Sequence, residues 1–125
     1  MRLEDMRIYQ IAVKLRKKVH EEVRKIPKYW SIKDAKQILG SSSSVPSNIA
    51  EGFGRRFYPK DFIHFLNISA GSSDETKNHA QALADDGYFS QEIADHFKKS
   101  YKDLAIRINN LIVYINKKHN LITNR

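Results

Sequence analysis

The sequence predicts an all-α fold: an antiparallel up-down-up-down four-helix bundle with a proline-kinked second helix. Two observations predict it. Apolar residues recur at spacings of three and four along four stretches of the chain, the period of a helix with one buried face. The stretches, about residues 5–26, 32–53, 59–85 and 90–118, are joined by short connections, which make successive helices antiparallel. At about 1.5 Å per residue, helices of roughly 20–28 residues give a bundle about 30–40 Å long.

Composition sets the outer limits. A chain of 125 residues with 41% hydrophobic residues suits one domain, residues 1–125, with one modest core. It has no cysteine, so disulfides and thiolate metal sites are excluded and a reducing compartment is favoured. No apolar run approaches the roughly 20 residues of a membrane span. The N-terminal Met-Arg-Leu-Glu-Asp lacks the apolar core of a signal peptide. The expectation is a cytoplasmic protein with no membrane partner.

The formal charge of +8 is unevenly spread. Residues 1–36 carry eleven Lys/Arg against five Asp/Glu, residues 61–89 one against five, and residues 90–125 seven against three. A basic region attracts polyanions through phosphate contacts and counterion release, although a solvated surface explains the same composition.

In the first stretch Ile8, Ala12, Leu15, Val19 and Ile26 share one helical face, with Ile11 and Val23 at its margins. Arg7, Lys14, Lys17, Lys18, Glu21, Arg24 and Lys25 take the other. Asp5 is positioned to cap the start, and Pro27 ends the helix. This basic face is most simply a solvated face; the competing reading is a nucleic-acid surface.

The second stretch reads in two ways. By composition, Gly40-Ser41-Ser42-Ser43-Ser44 followed by Pro46 is a flexible linker. By position, Ala35, Ile38, Ser42, Val45 and Ile49 keep one helical stripe across it. Small residues on such a stripe allow close helix approach, and serine hydroxyls bond back to the preceding turn. Within a helix, Pro46 removes a backbone donor and introduces a kink. Ser44 and Asn48 form a polar row that Glu51 and Arg55 continue at ion-pair spacing. Gly52 and Gly54 suit the helix end.

The third stretch opens at Pro59, a favoured first helical position. Phe62, Leu66, Ser69, Ser73, Thr76, Ala80 and Leu83 make its stripe. Its centre, Ser69-Ala70-Gly71-Ser72-Ser73, is small like the middle of the second stretch, so these two helices are expected to pair closely. Gly87 suits a left-handed cap. The fourth stretch has Ser90 as N-cap and a stripe of Ile93, Phe97, Tyr101, Leu104, Ile108, Leu111 and Ile115. Lys117 and Lys118 suit its C-terminus, and Asn120 to Arg125 are expected to fray.

Residues 44–55, Ser-Val-Pro-Ser-Asn-Ile-Ala-Glu-Gly-Phe-Gly-Arg, resemble the Ser-x-Pro-x-Asn-Ile-Ala-Glu-Gly signature of the 23S rRNA-intervening sequence protein family. Gln37-Ile38, Phe62-Ile63-His64-Phe65-Leu66, Gly71-Ser72 with Glu75, Asp86-Gly87-Tyr88-Phe89 and Ile26-Pro27 resemble further family positions, so the likeness covers nearly the whole chain. Leu39 and Gly40 stand where members often carry arginines, and Ser73 where they often carry a large apolar residue. The resemblance implies a four-helix bundle whose second helix is continuous across residues 40–44. It also implies a homo-oligomer, a ring of five. Some members are encoded inside rRNA intervening sequences, and a related branch serves as nucleic-acid-binding accessory proteins of reverse transcriptases. The resemblance marks Ser44, Pro46, Asn48, Glu51, Gly52, Gly71, Ser72 and Glu75 as structural positions. Asn48, Glu51 and Glu75 are expected to form a buried network between the second and third helices. Leu39, Phe57, Ile63, Ile106 and Ile112 lie beyond one narrow stripe, so they are expected to exceed what a lone bundle covers.

Catalytic motifs are lacking. There is no P-loop, dinucleotide fingerprint or G-x-S-x-G. A di-iron bundle needs Glu-x-x-His, whereas this chain has only Glu75/His79 and Glu92/His96 at a spacing of four, and Asp61/His64. These histidines are expected to be exposed or hydrogen-bonded, with no metal and no cofactor. Tyr29 and Trp30 beside Lys28 are either packing or a base-stacking pair. The function expected is a non-enzymatic accessory protein that binds RNA or DNA with little sequence preference. Lys14, Lys17, Lys18, Arg24 and Lys25 carry the binding face, extended by Arg55 and Arg56. The alternative is an oligomeric protein–protein scaffold, for example a reverse-transcriptase accessory subunit.

Overall fold

The computed structural model describes residues 1–120. Four helices follow in order: α1 (Arg7–Arg24), α2 (Lys33–Gly54), α3 (Pro59–Asp85) and α4 (Gln91–His119). Short 3-10 turns at Leu3–Asp5 and Tyr29–Ser31 precede α1 and α2. The four helices pack in chain order around one core, each antiparallel to the next, and α4 closes against α1. Contacts that cross the seams fix this order. His20 of α1 meets Leu39 and Ser43 of α2, Ser44 meets Ser72 of α3, and Gln81 of α3 meets Gln91 of α4.

The helix ends follow local chemistry, with one exception. Ser90 caps α4 by accepting from the Ile93 N–H at 3.1 Å. Pro59 opens α3, and Gly87 takes φ +84 just beyond its end, a conformation that an L side chain resists. Asp5 does not cap α1. It lies in the preceding 3-10 turn and accepts from the Arg2 N–H at 3.1 Å, while Met6 occupies the cap position. The short turn draws the Asp5 carboxylate back towards its own start, so it never faces the first turn of α1.

The polyserine stretch is helical. Ser41 to Ser44 lie inside α2, which runs on through Pro46 to Gly54. The stripe prevails over composition because Ser42, Val45, Pro46 and Ile49 are buried against the other helices. Ile38, Ile49, Leu66, Leu83, Leu104 and Ile108 are fully buried, each contributing about 1.5–3 kcal/mol relative to exposure. Tyr101 is buried as well. Its hydroxyl has no hydrogen-bond partner among the described residues, and burial pushes its pKa up, only partly opposed by the charge of Arg16. Of the apolar residues expected beyond the stripe, Phe57 and Ile106 are exposed, Leu39 and Ile63 are half-buried, and Ile112 is buried. Ile112 lies four residues beyond Ile108 and three before Ile115, so the α4 stripe is broad enough to take it in. The expected fraying beyond Asn120 concerns residues outside those described.

Candidate nucleic-acid interface

The signature segment shapes the seam between α2 and α3. Ser69 Oγ donates to the Val45 carbonyl at 2.8 Å, Ser41 and Thr76 share a hydroxyl–hydroxyl bond of 2.9 Å, and Ser44 and Ser72 one of 2.8 Å. Thr76 and Ser73 also bond back to Ser72 and Ser69 one turn earlier. Ser41, Ser42, Ser69, Ser72, Ser73 and Thr76 are all buried. Each such bond adds only about 1 kcal/mol net, but an unpartnered buried hydroxyl costs more, so the set holds one register. Gly52 closes the lower end of the seam. A Cβ there would lie 3.1 Å from the Phe62 ring, 3.2 Å from Phe65 Cβ and 3.3 Å from the Phe62 carbonyl.

The expected Asn48–Glu51–Glu75 network is not formed. Glu51 and Glu75 are exposed, and Asn48 is half-buried, donating to the Ser44 carbonyl and hydroxyl on its own helix at 2.9 Å. Glu51 instead pairs with Arg55, whose Nη2 lies 3.0 Å from its Oε2. Gly71 faces outward with open space where a side chain would stand. The buried polar contacts between α2 and α3 belong to short hydroxyl residues, while longer side chains meet only at the seam's partly exposed margin, as His79 and Asp34 do. Ser69 and Thr76 were legible as small stripe residues, and Ser41 only as part of a linker-like run, but none as a hydrogen-bond partner across the seam.

The basic residues separate into two groups. Lys14, Lys17, Lys18, Arg24 and Lys25 are all exposed on α1. Lys25 is engaged by Glu22, Nζ to Oε2 2.8 Å, and that hydrogen bond and charge raise its pKa. Lys14, Lys17 and Lys18 pair with no carboxylate among the described residues. Arg55 and Arg56 follow α2 at the end of the bundle where α1 begins, opposite the end that carries Arg24 and Lys25. They therefore do not continue the upper part of the α1 face. Arg55 is shared between Glu51 and Asp61 and lies over the Phe65 ring. Arg56 lies 4.2 Å from the Phe53 ring centroid and 4.7 Å from that of Phe57.

Arg16 carries no motif or spacing that marks it in the sequence. It lines a recess between α1 and α2 with Tyr9, Val13, Ser43, Pro46 and Ser47. Beside it His20 Nε2 lies 3.2 Å from both the Leu39 carbonyl and Ser43 Oγ. Burial, followed by the charges of Arg16 and Arg24, lowers the His20 pKa, against the bond to Leu39 that raises it. Of the paired aromatics, Tyr29 packs against the core while Trp30 is 64% exposed. The sequence-spaced carboxylate–histidine pairs do not assemble: His79 bonds Asp34 across the α2–α3 seam at 3.1 Å. Among the described residues, no group of three or more histidine and carboxylate side chains is placed to hold a metal ion. No helix among them is long and apolar enough to cross a membrane.

The fold is similar to that of a crystallised protein of unknown function from the S23 ribosomal protein family of Bacteroides thetaiotaomicron. The TM-score is 0.73 at 19% identity, over 84% of this chain and 97% of that one. No curated protein matches the sequence. The family model of the 23S rRNA-intervening sequence protein matches residues 4–110, a span that takes in the signature, the hydroxyl-rich seam and the basic face of α1. The chain belongs to the 23S rRNA-intervening sequence protein family.

Proposed function

We propose that the protein is a non-enzymatic, cytoplasmic accessory protein that binds RNA or DNA with little sequence preference through the outer face of α1. One observation carries this reading: Lys14, Lys17 and Lys18 are exposed together, within little more than one helical turn, and none forms an ion pair with a carboxylate among the described residues. Lysines in such an array contact phosphates and release counterions without reading bases. The acidic residues of α3 keep the contact surface off that helix. The absence of cysteine accords with a reducing compartment. No cofactor is needed for this role.

The protein is further proposed to act as a homo-oligomer, with five subunits by family resemblance. Ile68, Ile106 and Val113 are exposed on α3 and α4, away from the lysines, and supply apolar surface for contacts between copies. A ring would repeat the α1 face and raise avidity for any nucleic acid long enough to span subunits. Replacing Lys14, Lys17 and Lys18 with glutamate should abolish binding and leave the helical circular dichroism unchanged. Neutral glutamine replacements should flatten the slope of log affinity against log salt by about 2–3 for duplex. Retention of full binding by the glutamate variant would defeat the proposal.

The same exposed apolar residues support a second reading: a scaffold for a protein partner, for example as a reverse-transcriptase accessory subunit. An apolar interface would show little salt dependence, which separates the two.

A further inference from the structure

We propose that the lower corner of the bundle holds a base-stacking site, so that the protein prefers single-stranded over duplex nucleic acid. The inference rests on the nucleic-acid reading above and adds strand selectivity to it. The α2–α3 turn and the end of α4 enclose a recess of about 350 Å³. Phe62 and Ile115 form its floor, and Arg56, Phe57, Tyr114 and Lys118 its rim. Phe57 is 78% exposed and Tyr114 58%. The Arg56 guanidinium is held against the Phe53 and Phe57 rings, and its Nη1 donates to the Phe53 carbonyl at 3.0 Å. Lys118 Nζ stands 5.9 Å from the Tyr114 ring centroid.

Two features point to a nucleobase with its phosphate. First, the rim alternates exposed aromatic rings with cations, and each cation lies against one of those rings. Second, the charge is left unanswered. Neither Arg56 nor Lys118 pairs with a carboxylate among the described residues, whereas neighbouring Arg55 is engaged by Glu51 and Asp61. The recess is complementary to a polyanion that also offers a flat apolar face. A duplex cannot offer that face, since its bases stack on one another, whereas a single strand can turn a base into the recess and lay the adjoining phosphate against Arg56 or Lys118. The α1 lysines touch phosphates alone and do not discriminate between strand forms.

The test compares a labelled 15-nucleotide single strand with the duplex of the same length, by anisotropy on the full-length protein. Wild type should bind the single strand roughly tenfold or more tightly than the duplex, and a 2-aminopurine in the strand should be quenched on binding. Phe57→Ala with Tyr114→Ala should cost the single strand roughly tenfold and leave duplex affinity unchanged. Phe57→Tyr with Tyr114→Phe keeps both π-faces and should keep the preference. Equal wild-type affinity for the two forms, with binding still lost on replacing the α1 lysines, overturns the recess and leaves the α1 face standing. Unchanged single-strand affinity in the double alanine variant likewise overturns it. A lower mass by light scattering in that variant overturns it too, by placing the rings between copies of the chain. If wild type binds neither form at low salt, the nucleic-acid reading itself fails and takes the recess with it.

Discussion

In the buried part of the α2–α3 seam the polar side chains are short and point inward; along the outer face of α1 they are long and point outward. Both regions look unusual in the sequence, one for its serines and the other for its lysines. In the seam, hydroxyls of Ser41, Ser44, Ser69, Ser72 and Thr76 satisfy one another or the backbone, and the helices come close enough that a Cβ at Gly52 would lie 3.1–3.3 Å from Phe62 and Phe65. On α1, Lys14, Lys17 and Lys18 have no carboxylate partner among the described residues and nothing packed over them. The difference shows that the signature segment helps set the contact between α2 and α3, while the exposed lysines of α1 lie outside it.

The largest expected effect is a bulky residue forced into the seam. Ser69→Leu would place a branched side chain where the hydroxyl now donates to Val45, with Ser69 fully buried. Overpacking and the lost bond should together cost about 3 kcal/mol, read as a fall in the urea midpoint. Glutamate at Lys14, Lys17 and Lys18 should move that midpoint far less, because these side chains are exposed. If the two variants lost equal stability, the contrast between the regions would be broken.

Glycines sharpen it further. Gly52→Ala should destabilise by about 1 kcal/mol, since the new Cβ meets the Phe62 ring, the Phe65 side chain and the rigid Phe62 carbonyl. Gly40→Ala, in the same helix with open space around the new Cβ, should stabilise by about 0.5–1 kcal/mol through helix propensity. Thermal melts of the two variants should shift in opposite directions; a shared direction would deny that Gly52 marks a close approach. Asn48→Ala should cost less than Gly52→Ala, about 0.5 kcal/mol, because Asn48 bonds only within its own helix.

Much of the fold was legible because periodicity survives changes of residue type. The α3 stripe from Phe62 to Leu83 is buried position by position, although three of its members are hydroxyl residues. Ser90 and Gly87 were legible because their chemistry is local. What escaped depended on the distance between helices. Nothing in the spacing of Asn48, Glu51 and Glu75 says that the two glutamates face solvent, while Ser41, Ser69 and Thr76 take the buried positions between the helices. Arg55 and Arg56 follow the signature in sequence, yet antiparallel packing carries them to the bundle end opposite Arg24 and Lys25. Phe57 read only as excess apolar surface until the turn brought it beside Arg56, Tyr114 and Lys118.

The smallest expected effect lies where the two regions meet. His20 projects from α1 onto α2, against Leu39 and Ser43, with Arg16 and Arg24 on its own helix. Burial lowers its folded pKa below the ordinary value of 6.5, and the two arginines push the same way. A base with a depressed folded pKa binds fewer protons folded than unfolded. Stability should therefore hold above about pH 6.5, decline as pH falls through that value, and level off once the lower folded pKa is passed. The shift is moderated by solvent on the half-exposed ring, so the melting temperature should fall by only a few degrees between neutral pH and pH 5. His20→Gln retains a donor for the Leu39 carbonyl but cannot titrate, so part of that fall should disappear in the variant. Identical pH profiles for the two proteins would show that His20 does not link protonation to the α1–α2 contact. A steeper fall in the variant would reverse the sign of the argument.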